Sequence, residues 1–191
     1  MKTQKLNSTR VLTIILLAVS LITITACNNK AGNSSKQESP KPPAMDINSA
    51  AFLGNTDVIH RHIVAGSDLN KKDDYGSTPL HTATLFGKTE VALILIEAGA
   101  DINILNADGS TPLHTASFFC RTEIVEALLA KGADKELRNN YGSTALESVA
   151  GPFEDVKAIY EQINKDLGPL GLKLDFNRIE KTRPEIANML R

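Results

Sequence analysis

Any catalysis or metal binding in this chain would have to be built from its four histidines, two cysteines and two pairs of adjacent carboxylates. His60 and His62 are two apart, so on a helix they point to different faces and make a poor metal pair. His81 and His114 lie 33 positions apart inside identical Thr-Pro-Leu-His strings, which marks them as repeated structure. Asp73-Asp74 and Glu154-Asp155 are neighbours of the kind that stay solvated at a turn or a helix start. Cys120 is either a redox-sensitive thiol or a small residue filling a turn, and the second is the commoner case. No His-x-x-x-His, Cys-x-x-Cys, Gly-x-Ser-x-Gly or phosphate-binding glycine loop occurs. We therefore assign no catalytic residue, no metal and no cofactor from the sequence, and expect the chain not to be an enzyme.

The elements that would hold any functional residue are legible in the repetition. Gly76-Ser77-Thr78-Pro79-Leu80-His81-Thr82-Ala83 recurs letter for letter at Gly109 to Ala116, and a degraded copy runs from Gly142 to Val149. Glu97-Ala98-Gly99-Ala100-Asp101 recurs as Ala130-Lys131-Gly132-Ala133-Asp134, with an earlier version at Val64 to Asp68. A fixed period of 33 residues means one supersecondary unit stacked on copies of itself. Thr78 and Thr111 are good N-caps, with Pro79 and Pro112 at the first helical position, where a missing N–H costs nothing. Gly87 would end the first helix in a left-handed turn. Val91, Leu93 to Ile96, Ile124-Val125 and Leu128-Leu129 give the second helix its apolar spacing.

This register, T-P-L-H-x-A followed by G-x-x-E-[VI] and G-A-D, resembles the ankyrin repeat. The resemblance implies an all-α solenoid of helix-turn-helix units joined by β-hairpin-type loops, with units at about 45–75, 76–108, 109–141 and 142–165. It also implies that His81 and His114 bond backbone between units. The ends depart from the pattern. Met45-Asp46-Ile47-Asn48 replaces T-P-L-H, and His60-Arg61-His62 suggests a solvent-facing N-terminal cap. In the last unit Ala145 and Glu147 replace Pro and His, and Gly151-Pro152 interrupts the helix. Val156, Ile159, Tyr160 and Ile163 then predict an amphipathic helix. Leu172, Leu174 and Phe176 alternate with polar residues, and Thr182-Arg183-Pro184-Glu185 predicts a capping box that opens a last helix. Residues 166–191 read as a C-terminal helical cap over the last repeat, the alternative being a partner-binding tail.

The N-terminus has a different character. Lys2, Lys5 and Arg10 precede an uncharged stretch from Val11 to Ala26, short for a spanning helix and shaped like an export signal. Ile24-Thr25-Ala26-Cys27 resembles the lipobox of bacterial lipoproteins. That implies a signal peptide over 1–26, cleavage before Cys27, and a diacylglyceryl thioether and N-acyl group on that cysteine. An uncleaved anchor or an ordinary signal peptide is the alternative. Residues 27–44 read as a lipid-anchored flexible linker, too polar to pack. The expected location is the bacterial cell envelope: the periplasmic face of the outer membrane in a Gram-negative cell, the outer face of the cell membrane in a Gram-positive one. Loss of residues 1–26 removes Lys2, Lys5 and Arg10 and no acid, so 18 basic residues would face 22 acidic ones, a balance of −4. That argues against a nucleic-acid partner.

The partner expected is another protein, bound by a monomer whose only membrane link is the lipid on Cys27. Two rows of the alignment carry that expectation: Phe52, Leu85 and Phe118, beside Leu53, Phe86 and Phe119. In ankyrin-like stacks this place borders the concave face. The six residues either form an apolar ridge there or pack between first helices and beneath the C-terminal cap. The hairpin tips add Asp74, Tyr75 and Ser77, then Asp108 and Ser110, then Tyr141, types favoured in recognition surfaces. Arg121, beside the Phe pair, is a candidate charged hot spot. These residues point to a scaffold or adaptor for an envelope protein. The alternative is an inhibitor or immunity-type protein that occludes a partner's active site.

Overall fold

The chain begins its described course with exposed residues around Pro40 and Pro42, and helix α1 starts at Ile47. The structure is a computed structural model that describes residues 40–191; the expected signal peptide, Cys27 and most of the linker lie outside the described residues. Three helix pairs of matched length follow: α1 Ile47–Leu53 with α2 Thr56–Val64, α3 Pro79–Leu85 with α4 Thr89–Glu97, and α5 Pro112–Phe118 with α6 Thr122–Ala130. A short α7, Glu147–Ala150, and a long α8, Phe153–Leu167, succeed them. A 3-10 turn, Gly168–Leu170, leads to the last helix, α9, Phe176–Leu190. First helices α1, α3, α5 and α7 pack in one layer and second helices α2, α4 and α6 in another.

Local chemistry explains each start. Thr78 accepts from the His81 N–H, and His81 Nδ1 in turn takes the Thr78 N–H, a capping box in which histidine replaces the usual carboxylate. Thr111 and His114 repeat it. Because Nδ1 accepts, the ring proton sits on Nε2, which donates across the repeat boundary: His81 to the Ser110 carbonyl at 3.0 Å and His114 to the Ser143 carbonyl at 3.0 Å. In the fourth unit Glu147 takes the histidine's place. Its carboxylate accepts from the Thr144 N–H at 2.9 Å and holds Arg138 by two bonds of 2.6 and 2.9 Å.

Between the layers lie Leu80, Leu95, Leu113, Ile124 and Leu128, all fully buried. Burial of each such side chain stabilises the stack by roughly 1.5–3 kcal/mol. The first-helix turns end at Gly54 and Gly87 with φ of 74° and 64°, as the sequence predicts for Gly87. The third turn places Cys120 at φ 51°, the only non-glycine residue with positive φ among those described.

Three sequence expectations are corrected at the ends. His62 does not face solvent: it is buried, with Nδ1 bonded to Ser67 Oγ at 2.9 Å and Nε2 to the Met45 carbonyl at 2.8 Å. It ties down the chain entering α1. The last helix starts not at Thr182 but after Asp175, whose carboxylate caps the Arg178 N–H at 3.0 Å. Pro184 therefore lies inside α9, where a missing N–H costs about 3 kcal/mol. Burial of Ile179, Ile186 and Leu190 along the same face offsets that cost. Finally, α8 turns Tyr160 fully inward but leaves Ile159 half exposed, so its buried face runs through Phe153 and Tyr160.

Candidate protein-binding surface

The hairpin tips are built by one side chain per repeat. Asp73 Oδ1 accepts from the N–H groups of Tyr75 and Ser77 at 2.9 and 2.8 Å. Asn106 does the same for Asp108 and Ser110, and Asn139 for Tyr141 and Ser143. Neighbouring tips bond to each other: Ala107 N–H donates to the Tyr75 carbonyl at 3.3 Å, and Asn140 N–H to the Asp108 carbonyl at 2.9 Å. No strand forms among the described residues; single bonds between tips hold the row together. Asp74, Tyr75, Asp108 and Tyr141 are exposed, the two tyrosines at 79% and 77%, while Ser77 and Ser110 are half-buried within the tip bonding. A second ladder, Asn70 to the Asp101 N–H and Asn103 to the Asp134 N–H, fixes the spacing further along. The sequence reading passed over both asparagines.

The two apolar rows divide. Phe52 and Phe86 meet edge to face with centroids 4.6 Å apart, both half-buried, and Leu53 beside them is 58% exposed. At the third repeat the same rows are covered. Tyr160 of α8 stacks on Phe118 at 4.5 Å, meets Phe119 edge-on, and donates its hydroxyl to the Phe118 carbonyl. Phe118 and Phe119 therefore belong to the seat of the C-terminal helices, and the free ridge ends at Phe86.

Arg121 leaves the set of free charges for a related reason. Its Nη2 donates to the Leu85 carbonyl at 3.2 Å, and its guanidinium lies across Gly87, so near that an added Cβ would stand 2.8 Å from Cζ. Burial, with Arg178 nearby, lowers its pKa from the ordinary arginine value. The Lys88 stem crosses Gly54 in the same manner. No repeat residue crosses the third turn. There Ile179 and Arg178 of α9 close over Cys120, with Sγ 3.6 Å from the Ile179 carbonyl and Arg178 Nη1 donating to the Cys120 carbonyl at 2.8 Å. Cysteine fits this turn because its side chain meets α9. Burial pushes the thiol up to about 11, which removes the redox-sensitive alternative.

Elsewhere the ionisable groups serve the scaffold. Burial lowers His81 to about 4, against the opposing pull of the Ser110 carbonyl, and lowers His114 as well. Arg183, 3% exposed, donates to Tyr160 Oη and to the Ser148 and Gly151 carbonyls, locking α9 to α7 and α8. Among the described residues no group of three or more His, Cys, Asp or Glu is placed to hold a metal ion, and no helix is long and apolar enough to cross a membrane.

Comparison with known proteins agrees with this architecture. Residues 47–139 match the family model for ankyrin repeats, in three copies. No curated protein matches the chain. Repeats of this kind are typically non-catalytic scaffolds that bind other proteins. The paired helix layers, the histidine caps and the tip ladder together make residues 47–139 an ankyrin-repeat stack, a protein–protein interaction module.

Proposed function

We propose that this chain is a lipid-anchored extracytoplasmic adaptor. Cys27 holds it in the envelope, residues 28–44 give it reach, and the repeats hold an envelope protein against their first-helix side. The observation that carries the reading is the uncovered ridge of Phe52, Leu53 and Phe86, apolar side chains that the fold leaves partly in water. The lipobox-like Ile24-Thr25-Ala26-Cys27 supports the anchoring. Two acyl attachments give durable membrane binding where a single chain gives only reversible association.

A photo-crosslinking side chain at Leu53, compared in intact cells with one at Val64, tests the reading. Val64 is 68% exposed on α2, in the other layer. A discrete protein captured from Leu53 and not from Val64 is the expected result; equal capture from both, or none, refutes it. Whether the captured protein keeps its activity when bound separates adaptor from inhibitor.

A further inference from the structure

The apolar ridge has a cationic border. Each residue that follows a first-helix turn is placed beside the preceding repeat's ridge: Lys88 across Gly54, next to Leu53, and Arg121 across Gly87, next to Phe86. Arg178 of α9 continues the row at Cys120, next to Phe119. None of the three pairs with a carboxylate among the described residues; their nearest fixed partners are backbone carbonyls and glycine turns. Arg121 Nε has no hydrogen-bond partner at all. In a sequence with 22 acids against 21 bases, a row of unneutralised cations beside an apolar ridge calls for a partner of opposite charge.

The molecule also supplies an example of what fits. Where the ridge is occupied, at the third repeat, the occupant is α8: an amphipathic helix with an aromatic ring on Phe118. That helix carries Glu154, Asp155, Glu161 and Asp166 against Lys157 and Lys165, a balance of −2. The free part of the ridge is continuous in register with this occupied part, since Phe52, Leu85 and Phe118 are equivalent positions 33 residues apart.

We propose that Phe52, Leu53 and Phe86, bordered by Lys88, Arg121 and Arg178, bind an acidic amphipathic helix of the partner protein, laid beside the place where α8 already sits. The partner's apolar face covers the ridge and its carboxylates meet the cationic row. This rests on the reading of the repeats as a protein-binding surface and specifies the class of partner.

The test uses the full chain and a fluorescent peptide with the sequence of residues 153–167, followed by anisotropy. A second peptide carries Glu154→Lys, Asp155→Lys, Glu161→Lys and Asp166→Lys. The acidic peptide binds, and the lysine peptide binds about tenfold more weakly or not at all. Leu53→Asp, at an exposed position, weakens acidic-peptide binding by about tenfold, and Lys88→Glu narrows the preference between the peptides. Equal binding of both peptides overturns the proposal. So does binding indifferent to Leu53→Asp and Lys88→Glu, which means the peptide exchanges with the resident α8. If neither peptide binds while Leu53 still captures a protein in cells, the adaptor reading stands and the acidic-helix partner is rejected.

Discussion

Acid should loosen this stack through its histidines. His81 sits on a repeat boundary with Nδ1 accepting inside the cap and Nε2–H donating to Ser110. A second ring proton has no acceptor there, so the folded state favours the neutral form and the pKa falls from 6.5 to about 4. The unfolded chain binds the proton first as pH drops. Stability from this residue is therefore complete above pH 6.5 and declines from there toward pH 4. Linkage over that interval gives a loss of about 2 kcal/mol at pH 5 and about 3 kcal/mol at pH 4 for His81 alone. His114 acts in the same direction. The assay is urea denaturation followed by circular dichroism at pH 7, 6, 5 and 4, for the natural chain and for His81→Gln. Carboxylates contribute below pH 5 in both, so the difference between the two slopes isolates the histidine. The natural chain should lose more stability between pH 7 and 5 than the variant, although the variant starts lower. Parallel slopes would refute the assigned tautomer and its burial.

Four further outcomes follow from particular residues. Leu80→Ala or Leu113→Ala should cost about 2–5 kcal/mol in the same denaturation assay, since both side chains are fully buried between layers; a cost near zero is incompatible with that packing. Tyr160→Phe should cost about 1–3 kcal/mol, because the Phe118 carbonyl and the Arg183 guanidinium lose a buried partner; chemical denaturation measures it. Cys120 should stay unlabelled by a thiol reagent in the native chain at pH 8 and label on unfolding, and rapid native labelling would contradict its burial beneath α9. On the anchoring we propose, Cys27→Ser should move the protein out of the membrane fraction or leave it unprocessed. Unchanged, processed and membrane-bound protein would end the lipoprotein reading.

Reading the sequence recovered what repeats and lost what does not. Thr78, Pro79 and Leu80 announce a cap, a first position and a core contact by type and order alone, and the 33-residue return confirms them. Phe86 and Phe119 are the same letter in the same column, yet one borders water and the other lies beneath Tyr160. That difference is made by α8 and α9, whose docking follows no period. Arg121 looked free because nothing in a string of letters says that Gly87 leaves a lane for a guanidinium. The signal was present in the alignment, where Lys88 and Arg121 share a column just after the turn. Pro184 misled for a local reason: proline after threonine and arginine suits a helix start, but buried side chains on both sides of it carry α9 through.

The exchange of histidine for glutamate at position 147 sets the grammar by which the stack stops. A histidine in this column is a promise to a successor: its Nε2 proton has a place only if another hairpin brings a serine carbonyl across the boundary. Glu147 makes no such promise, because it accepts where histidine donates and closes its bonds on Thr144 and Arg138 within its own unit. A shortened chain ending after the second or third repeat would leave a buried donor addressed to nothing. A lengthened one would meet an acceptor where it needs a donor. The number of units is thus written in a single side chain, and changing it means rewriting that residue before adding or removing any repeat.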